Sequence, residues 1–272
     1  MVTIIEPGMT LQVESSILPL LMGRIVVFAN QKGGVGKTTS AANLGAYVAE
    51  LGKTVLLVDF DPQGNLSSSV GARKDRPGIY ELLTGASGFK QVVQTTAVPG
   101  LSAISANNDL SGANVELVDQ EKREYFLKNV LEPHRSEYDY IFIDSPPSLG
   151  VLTINGLVAA DTVFIPLQCE YFALEGLTQL LQSIKRVQQH FNTPLDIGGI
   201  MFTMYDSRTR LAQDVVQEVI GYFGKRVFKT IIPRNVRLSE APSHAVPINL
   251  YDPSCVGAKS YRKLAEEVIA RG

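Results

Sequence analysis

Only two cysteines, Cys169 and Cys255, occur in 272 residues, far apart and without metal-ligand spacing. That scarcity excludes a disulfide framework and a cysteine-built metal centre, and a reduced, cytosolic protein is the plain expectation. Both cysteines are expected to be small, half-buried residues. Histidine is scarce as well, and His134, His190 and His244 lack ligand spacing and read as structural or surface residues. No apolar run reaches the roughly 18 to 20 residues that a membrane-spanning helix needs. The first 21 residues hold Glu6 and Glu14 but no Lys or Arg, whereas a signal peptide wants a basic start before a continuous apolar core. Residues 1–22 therefore read as a weakly ordered extension, or Met22 is the true start. A large net charge is also missing: 25 Lys and Arg stand against 27 Asp and Glu, giving −2. Any nucleic-acid role then has to come from a local patch.

What is present is a globular composition, 45% hydrophobic, long enough for one large α/β domain. The most informative stretch is Gln31-Lys32-Gly33-Gly34-Val35-Gly36-Lys37-Thr38-Thr39. The apolar run Ile25–Ala29 leads into it, and a helical stretch from Thr38 to about Leu51 follows. Strand, glycine loop and helix in that order form a phosphate cradle. Glycines let backbone N–H groups approach a polyphosphate, and the helix N-terminus adds partial positive charge. Lys37 is placed to reach the β- and γ-phosphates and Thr38 to ligate Mg²⁺. The common GxxxxGK[ST] pattern would put a glycine at position 31; here Gln31 stands there, and a second lysine, Lys32, opens the loop.

Further apolar runs read as buried strands: Thr54–Asp59, Leu101–Ser105, Tyr138–Asp144, Asp161–Pro166 and Ile197–Met204. Two of them end in carboxylates, Asp59 with Asp61, and Asp144. Ligands bind at the carboxyl ends of parallel strands, and a strand-end aspartate is where a nucleotide-hydrolysis site keeps its metal. One such aspartate could be an ordinary turn residue; three downstream of a phosphate loop reinforce one another. Helices are expected at Ile79–Leu83, Val115–Leu131, Ala173–Phe191, Leu211–Phe223 (with Leu211, Val215, Val219 and Ile220 on one face) and Ser260–Ala270, N-capped by Ser260. Val227–Ile232 is a short apolar stretch. The alternation predicts an α/β fold of the single-domain P-loop NTPase type over residues 23–272, a mainly parallel twisted sheet with helices on both faces.

These residues resemble a known family. Lys32–Thr39 looks like a deviant Walker A motif, Asp59–Asn65 like switch I, and Ile143–Pro147 like Walker B and switch II. With Glu170–Gly176, Met204–Thr209 and Ile232–Ser243, they are similar to the ParA/Soj chromosome-partitioning ATPases of the MinD-like group, over about residues 24–271. The resemblance implies a weak Mg²⁺-dependent ATPase that forms an ATP-sandwich homodimer. It implies that Lys32 reaches the partner's phosphates, that Lys37 holds the β/γ-phosphates within a loop of Gly33, Gly34, Val35, Gly36 and Thr39, and that Thr38 holds the metal. By the same resemblance Asp61 positions the attacking water, Asp59 and Asp144 hold the metal's water shell, and Pro233 and Asn235 contact adenine. A ParB-like partner would stimulate hydrolysis, and the protein would sit in the cytoplasm on the nucleoid.

Between Tyr205 and Glu240 seven basic residues face four acidic ones, a surplus of three in a chain whose total is −2. Such a patch suits sequence-independent phosphate contact, though from charge alone an ordinary solvated face is the favoured reading. The resemblance implies that Arg208 and Arg237 contact nonspecific double-stranded DNA. Family members often carry Gly-Lys-Pro after the Ala-Pro-Ser run, where this chain has His244-Ala245-Val246-Pro247. The alternative is a membrane-associated positioning ATPase of the MinD type, which needs a basic amphipathic C-terminal helix; here that stretch carries Glu266 and Glu267. An iron–sulfur carrier lacks its cysteine ligands. A nucleotide-gated scaffold without hydrolysis is opposed by Asp61.

Overall fold

Runs such as Ile25-Val26-Val27-Phe28 are apolar on both faces of a strand, so they are stable only at the centre of a covered sheet. The computed structural model describes residues 23–116, 120–148 and 150–272, and in it the runs do this. In chain order come β1 (Arg24–Phe28), α1 (Lys37–Glu50), β2 (Val55–Asp59), α2 (Asn65–Ser69), α3 (Ile79–Leu83), α4 (Phe89–Val92), β3 (Val93–Thr95), β4 (Leu101–Ile104) and α5 (Leu110–Glu116). Then follow α6 (Phe126–Leu131), β5 (Tyr140–Asp144), α7 (Val151–Ala159), β6 (Thr162–Gln168), α8 (Ala173–His190), β7 (Asp196–Thr203), α9 (Arg210–Phe223), α10 (Val236–Glu240), α11 (Ile248–Tyr251) and α12 (Val256–Ala270).

Among the described residues the seven strands form one sheet in the order β3-β4-β2-β5-β1-β6-β7. All neighbours are parallel except β3 and β4. The strand period of two sends Ile25 and Val27 to one face and Val26 and Phe28 to the other. On the first face lie α7, α8 and α9; on the second, α1 and α12. Phe28 meets Phe142 and Phe164 edge to face, at 5.5 and 5.7 Å between centroids, which adds about 0.5–1.5 kcal/mol per pair to simple burial. Helix α1 is buried nearly all round because α12 covers its outer side with Tyr261, Leu264, Ala265 and Val268.

The expected parallel α/β architecture is present, with several local corrections. Helix α12 starts at Val256 rather than Ser260, and its N-cap is Cys255, whose Sγ accepts from Ala258 N at 3.3 Å. Helix α9 buries Ala212, Val215, Val216 and Val219, while Leu211 and Ile220, expected on one face with Val215 and Val219, are exposed. The helix expected over Val115–Leu131 is interrupted: Lys122 is left-handed (φ 57°), and a 3-10 turn, Arg123–Tyr125, precedes α6. The short apolar stretch Val227–Ile232 forms no strand and meets β7 through one isolated bridge, Val227 with Ile200. The expected extension, 1–22, lies outside the described residues.

Candidate nucleotide-binding site

Register places the two principal carboxylates side by side. Phe28, at the end of β1, is level with Asp144 on β5, and Asp144 is level with Asp59 on β2. The loop after β1 turns over this edge, with Gly34 at φ 74° and Gly36 at φ 86°, values that a side chain at either position would strain. Gly36 is the N-cap of α1 and supplies no capping side chain. The first N–H groups of a 14-residue helix are therefore left for a ligand. Val35 is buried, and its carbonyl accepts from Thr203 Oγ1 at 2.7 Å, which ties the loop to the end of β7.

Lys37 is only 7% exposed and donates from Nζ to Lys32 O at 3.2 Å. Burial lowers its pKa, while Asp144 and Asp61 oppose that shift. Such a lysine lacks a full counter-charge and suits a polyphosphate. Thr38 Oγ1 donates to Asp144 Oδ2 at 2.6 Å. The other oxygen of Asp144, Oδ1, is buried with no hydrogen-bond partner. Burial, and then the Asp59 charge, raise the Asp144 pKa well above the usual range. An orphaned carboxylate oxygen beside a threonine hydroxyl is the hard oxygen set that a hydrated divalent cation takes, so the residues fit Mg²⁺.

Asp59 is engaged differently. Its Oδ2 accepts from Ser67 N at 2.7 Å and Ser67 Oγ at 2.6 Å, and its Oδ1 from Asp61 N at 3.3 Å. Burial nonetheless pushes its pKa up to about 6. It thus anchors the turn that presents Asp61, a buried carboxylate on the wall of the cleft whose Oδ1 accepts from Gln63 N at 3.0 Å.

The cleft has a volume of about 590 Å³. Gly33, Gly34, Gly36, Lys37, Thr38, Thr39 and Asp61 line its floor, and Pro233, Arg234 and Asn235 its far wall. Asn235 also caps α10, with Oδ1 accepting from Arg237 N at 2.9 Å. Lys32 does not line the cleft; it is half-exposed and ion-paired with Glu170, whose second oxygen accepts from Gln168 Nε2. Arg208 and Arg237 also lie outside it, Arg208 paired with Asp206 (2.7 Å) and Arg237 with Glu240 (2.9 Å) and Asp252 (3.5 Å). Among the described residues no helix is long and apolar enough to cross a membrane.

Fold and site together define a P-loop nucleotide hydrolase. The AAA domain family matches residues 23–197. The chain is 63% identical over 250 residues to the chromosome-partitioning ATPase Soj of Treponema pallidum, covering 92% of this chain and 98% of that one. It is 53% identical to the sporulation initiation inhibitor protein Soj of Bacillus subtilis, with 92% and 100% covered. Among solved structures, cobyrinic acid a,c-diamide synthase from Mycobacterium smegmatis, with an ATP analogue and magnesium bound, superposes with TM-score 0.81 at 40% identity, over 91% of this chain and 94% of that one. The chain belongs to the Soj/ParA family of chromosome-partitioning ATPases, and it is an ATPase that works with ATP and Mg²⁺.

Several residues that shape the site carry no role that the sequence alone reveals. Glu170 holds Lys32, Ser67 holds Asp59, Thr203 holds the loop, and Tyr261 reaches the cleft from α12 and meets Ser40 at 3.0 Å. Only Glu170 had a usable signal, because it follows the end of β6 as Asp144 ends β5.

Proposed function

We propose that this ATPase is a nucleotide-timed partitioning switch. Mg-ATP drives a sandwich homodimer, the dimer binds nonspecific duplex DNA, and a ParB-like partner stimulates hydrolysis and releases it. The cargo is a chromosome or a plasmid, and the setting is the nucleoid in the cytoplasm. One observation carries this reading. The loop holds two lysines with different dispositions, Lys37 buried in the cleft and Lys32 half-exposed outside it on Glu170. A half-exposed cation outside its own cleft is available to a second copy.

In this reading Lys37 and the N–H groups of α1 hold the β- and γ-phosphates. Thr38 and Asp144 hold the cation's oxygen shell, with Asp59 keeping the neighbouring turn in place. Mg²⁺ supplies charge neutralisation on the phosphate oxygens. Asp61 orients water toward the γ-phosphate, and Lys32 exchanges Glu170 for the partner's phosphates, offsetting charge that develops in the transition state. Pro233 and Asn235 bound the base, and Arg208 and Arg237 meet DNA phosphates. The membrane-associated alternative is disfavoured because Tyr261, Leu264, Ala265 and Val268, which form the inner apolar face of the last helix, are already buried against the body of the protein.

The test is ATP turnover with and without nonspecific duplex DNA across a salt series. We expect stimulation that fades as salt rises, because phosphate contacts release counterions. Turnover that ignores DNA at every salt concentration and responds to anionic vesicles would overturn the reading in favour of the membrane alternative.

A further inference from the structure

The loop that follows switch I carries a charge cluster with no assigned role. Arg73, Lys74 and Arg76 stand against a single carboxylate, Asp75, and all four are exposed. Exposed cations are ordinary, but the backbone under these is not. The N–H of Arg73 donates to Gln94 Oε1 at 2.9 Å, and its carbonyl accepts from Gln94 Nε2 at 2.9 Å. Gln94 is buried, sits on the antiparallel edge strand β3, and is itself fixed by Ser105 Oγ at 3.1 Å. Burying an amide to pin both backbone groups of one loop residue is costly unless its bonds are satisfied, as they are here. The outcome is a loop held at a set place, exposed on the surface, in which Asp75 pairs with Arg73 through two hydrogen bonds (3.0 and 2.7 Å) and Lys74 and Arg76 leave a surplus of positive charge.

That place adjoins the segment bearing Arg237. Gly71, two residues before Arg73, packs so closely on Ala245 that a Cβ there would stand 3.0 Å from the Ala245 carbonyl oxygen. From Ala245 a chain of interactions leads back to Arg237. His244 stacks on Tyr251 at 4.8 Å, the Tyr251 hydroxyl donates to Glu240 at 3.2 Å, and Glu240 pairs with Arg237 at 2.9 Å. The two walls of the nucleotide cleft continue outward into these two basic segments. Ser68 and Ser69 of α2 line one wall just before the loop, and Arg234 and Asn235 line the other just before Arg237. Lys74 also lies against switch I, its Nζ 3.4 Å from Gln63 O.

We propose that the loop at residues 73–76 is a second arm of the DNA-contact face, which meets backbone phosphates of the duplex beside Arg237. It supplies the cations that the His244-Ala245-Val246 stretch lacks. The pinned backbone lowers the ordering cost of binding, and cations on two segments flanking one cleft read charge rather than sequence. This rests on the DNA-binding reading above.

The test compares Arg76→Glu, and separately Arg73→Ala with Arg76→Ala, against Arg237→Glu, by equilibrium binding to a nonspecific duplex with Mg-ATP. Removing one cation that neutralises a phosphate should reduce the slope of log affinity against log salt by about 0.9. The loop variants should bind several-fold more weakly with a shallower slope, and keep DNA-free ATP turnover and ATP-driven dimerisation. Unchanged affinity and slope in the loop variants, while Arg237→Glu weakens the one and flattens the other, would overturn the second arm and leave the DNA reading standing. Absence of DNA binding by the unmodified protein would overturn the DNA reading itself. Loss of ATP-driven dimerisation would assign the loop to the subunit interface, and intact DNA binding with loss of stimulation by the ParB-like partner would assign it to that partner; each overturns the proposal.

Discussion

At the residue scale, the site holds unbalanced charge in place before any ligand arrives. Asp59 and Asp144 are level on adjacent strands and buried to 1% exposure. Burial raises the pKa of Asp59 from 3.8 to about 6, against the help of Ser67, and raises that of Asp144 further from its usual range. A carboxyl whose folded pKa lies above its unfolded value binds more protons when folded. Its contribution to stability therefore falls as pH rises from about 4 through about 6. For Asp59 the difference corresponds to about 3 kcal/mol. The nucleotide-free, magnesium-free protein should unfold at a higher denaturant concentration at pH 5 than at pH 7, with other groups superimposed on that trend. Asp59→Asn should flatten the difference, since the amide stays neutral and Ser67 Oγ can still donate to its carbonyl. Equal pH dependence in the variant would show that Asp59 does not carry the proton linkage.

At the element scale, legibility followed the rigidity of each pattern. The phosphate loop, the strand-end aspartates and the buried strands were readable because parallel strands covered on both faces must be apolar throughout. Helix α7 was not, because Thr153, Asn155 and Gly156 interrupt its apolar run, and all three are buried. Asn155 in fact serves as a bracket, accepting from Leu127 N at 3.1 Å and donating to Arg123 O at 2.8 Å. Strand β3 is three residues long with a buried Gln94 at its centre, which no period could reveal. Within the site, Glu170 and Ser67 act on Lys32 and Asp59 from 138 and 8 residues away, and only the fold states such pairings. Helix α12 matters beyond its own stability, because Tyr261 bonds Ser40 in the first turn of α1 and lines the cleft. Leu264, fully buried one turn further along, should cost about 2–5 kcal/mol when cut to alanine. Chemical denaturation measures that cost. A loss below about 1 kcal/mol would mean that α12 is not integral to the core, far from the typical cost of a core truncation.

At the scale of the whole molecule, the proposed cycle needs two states in which Lys32 has different partners. In the single chain Lys32 is paired with Glu170, and both side chains are part-exposed, so solvent screening keeps the pair weak. A weak restraint of this kind can be exchanged for a polyphosphate, which carries more charge than one carboxylate. In the proposed cycle Asp61 would act at the opposite point, because without a water-positioning carboxylate the assembled state would have no fast exit. Asp61→Ala should therefore accumulate an ATP-bound dimer, seen by sedimentation with Mg-ATP, with turnover reduced about 100-fold or more if Asp61 is a general base or water-positioning group. Adding Lys32→Ala to that variant should return it to monomer while nucleotide binding persists, because Lys37 and the α1 N-terminus remain. Glu170→Gln in the otherwise unmodified protein should shift dimerisation to lower ATP concentration by freeing Lys32. An Asp61→Ala protein that stays monomeric with ATP, or a double variant that stays dimeric, would separate Lys32 from the subunit interface and leave the loop a phosphate cradle for one chain alone.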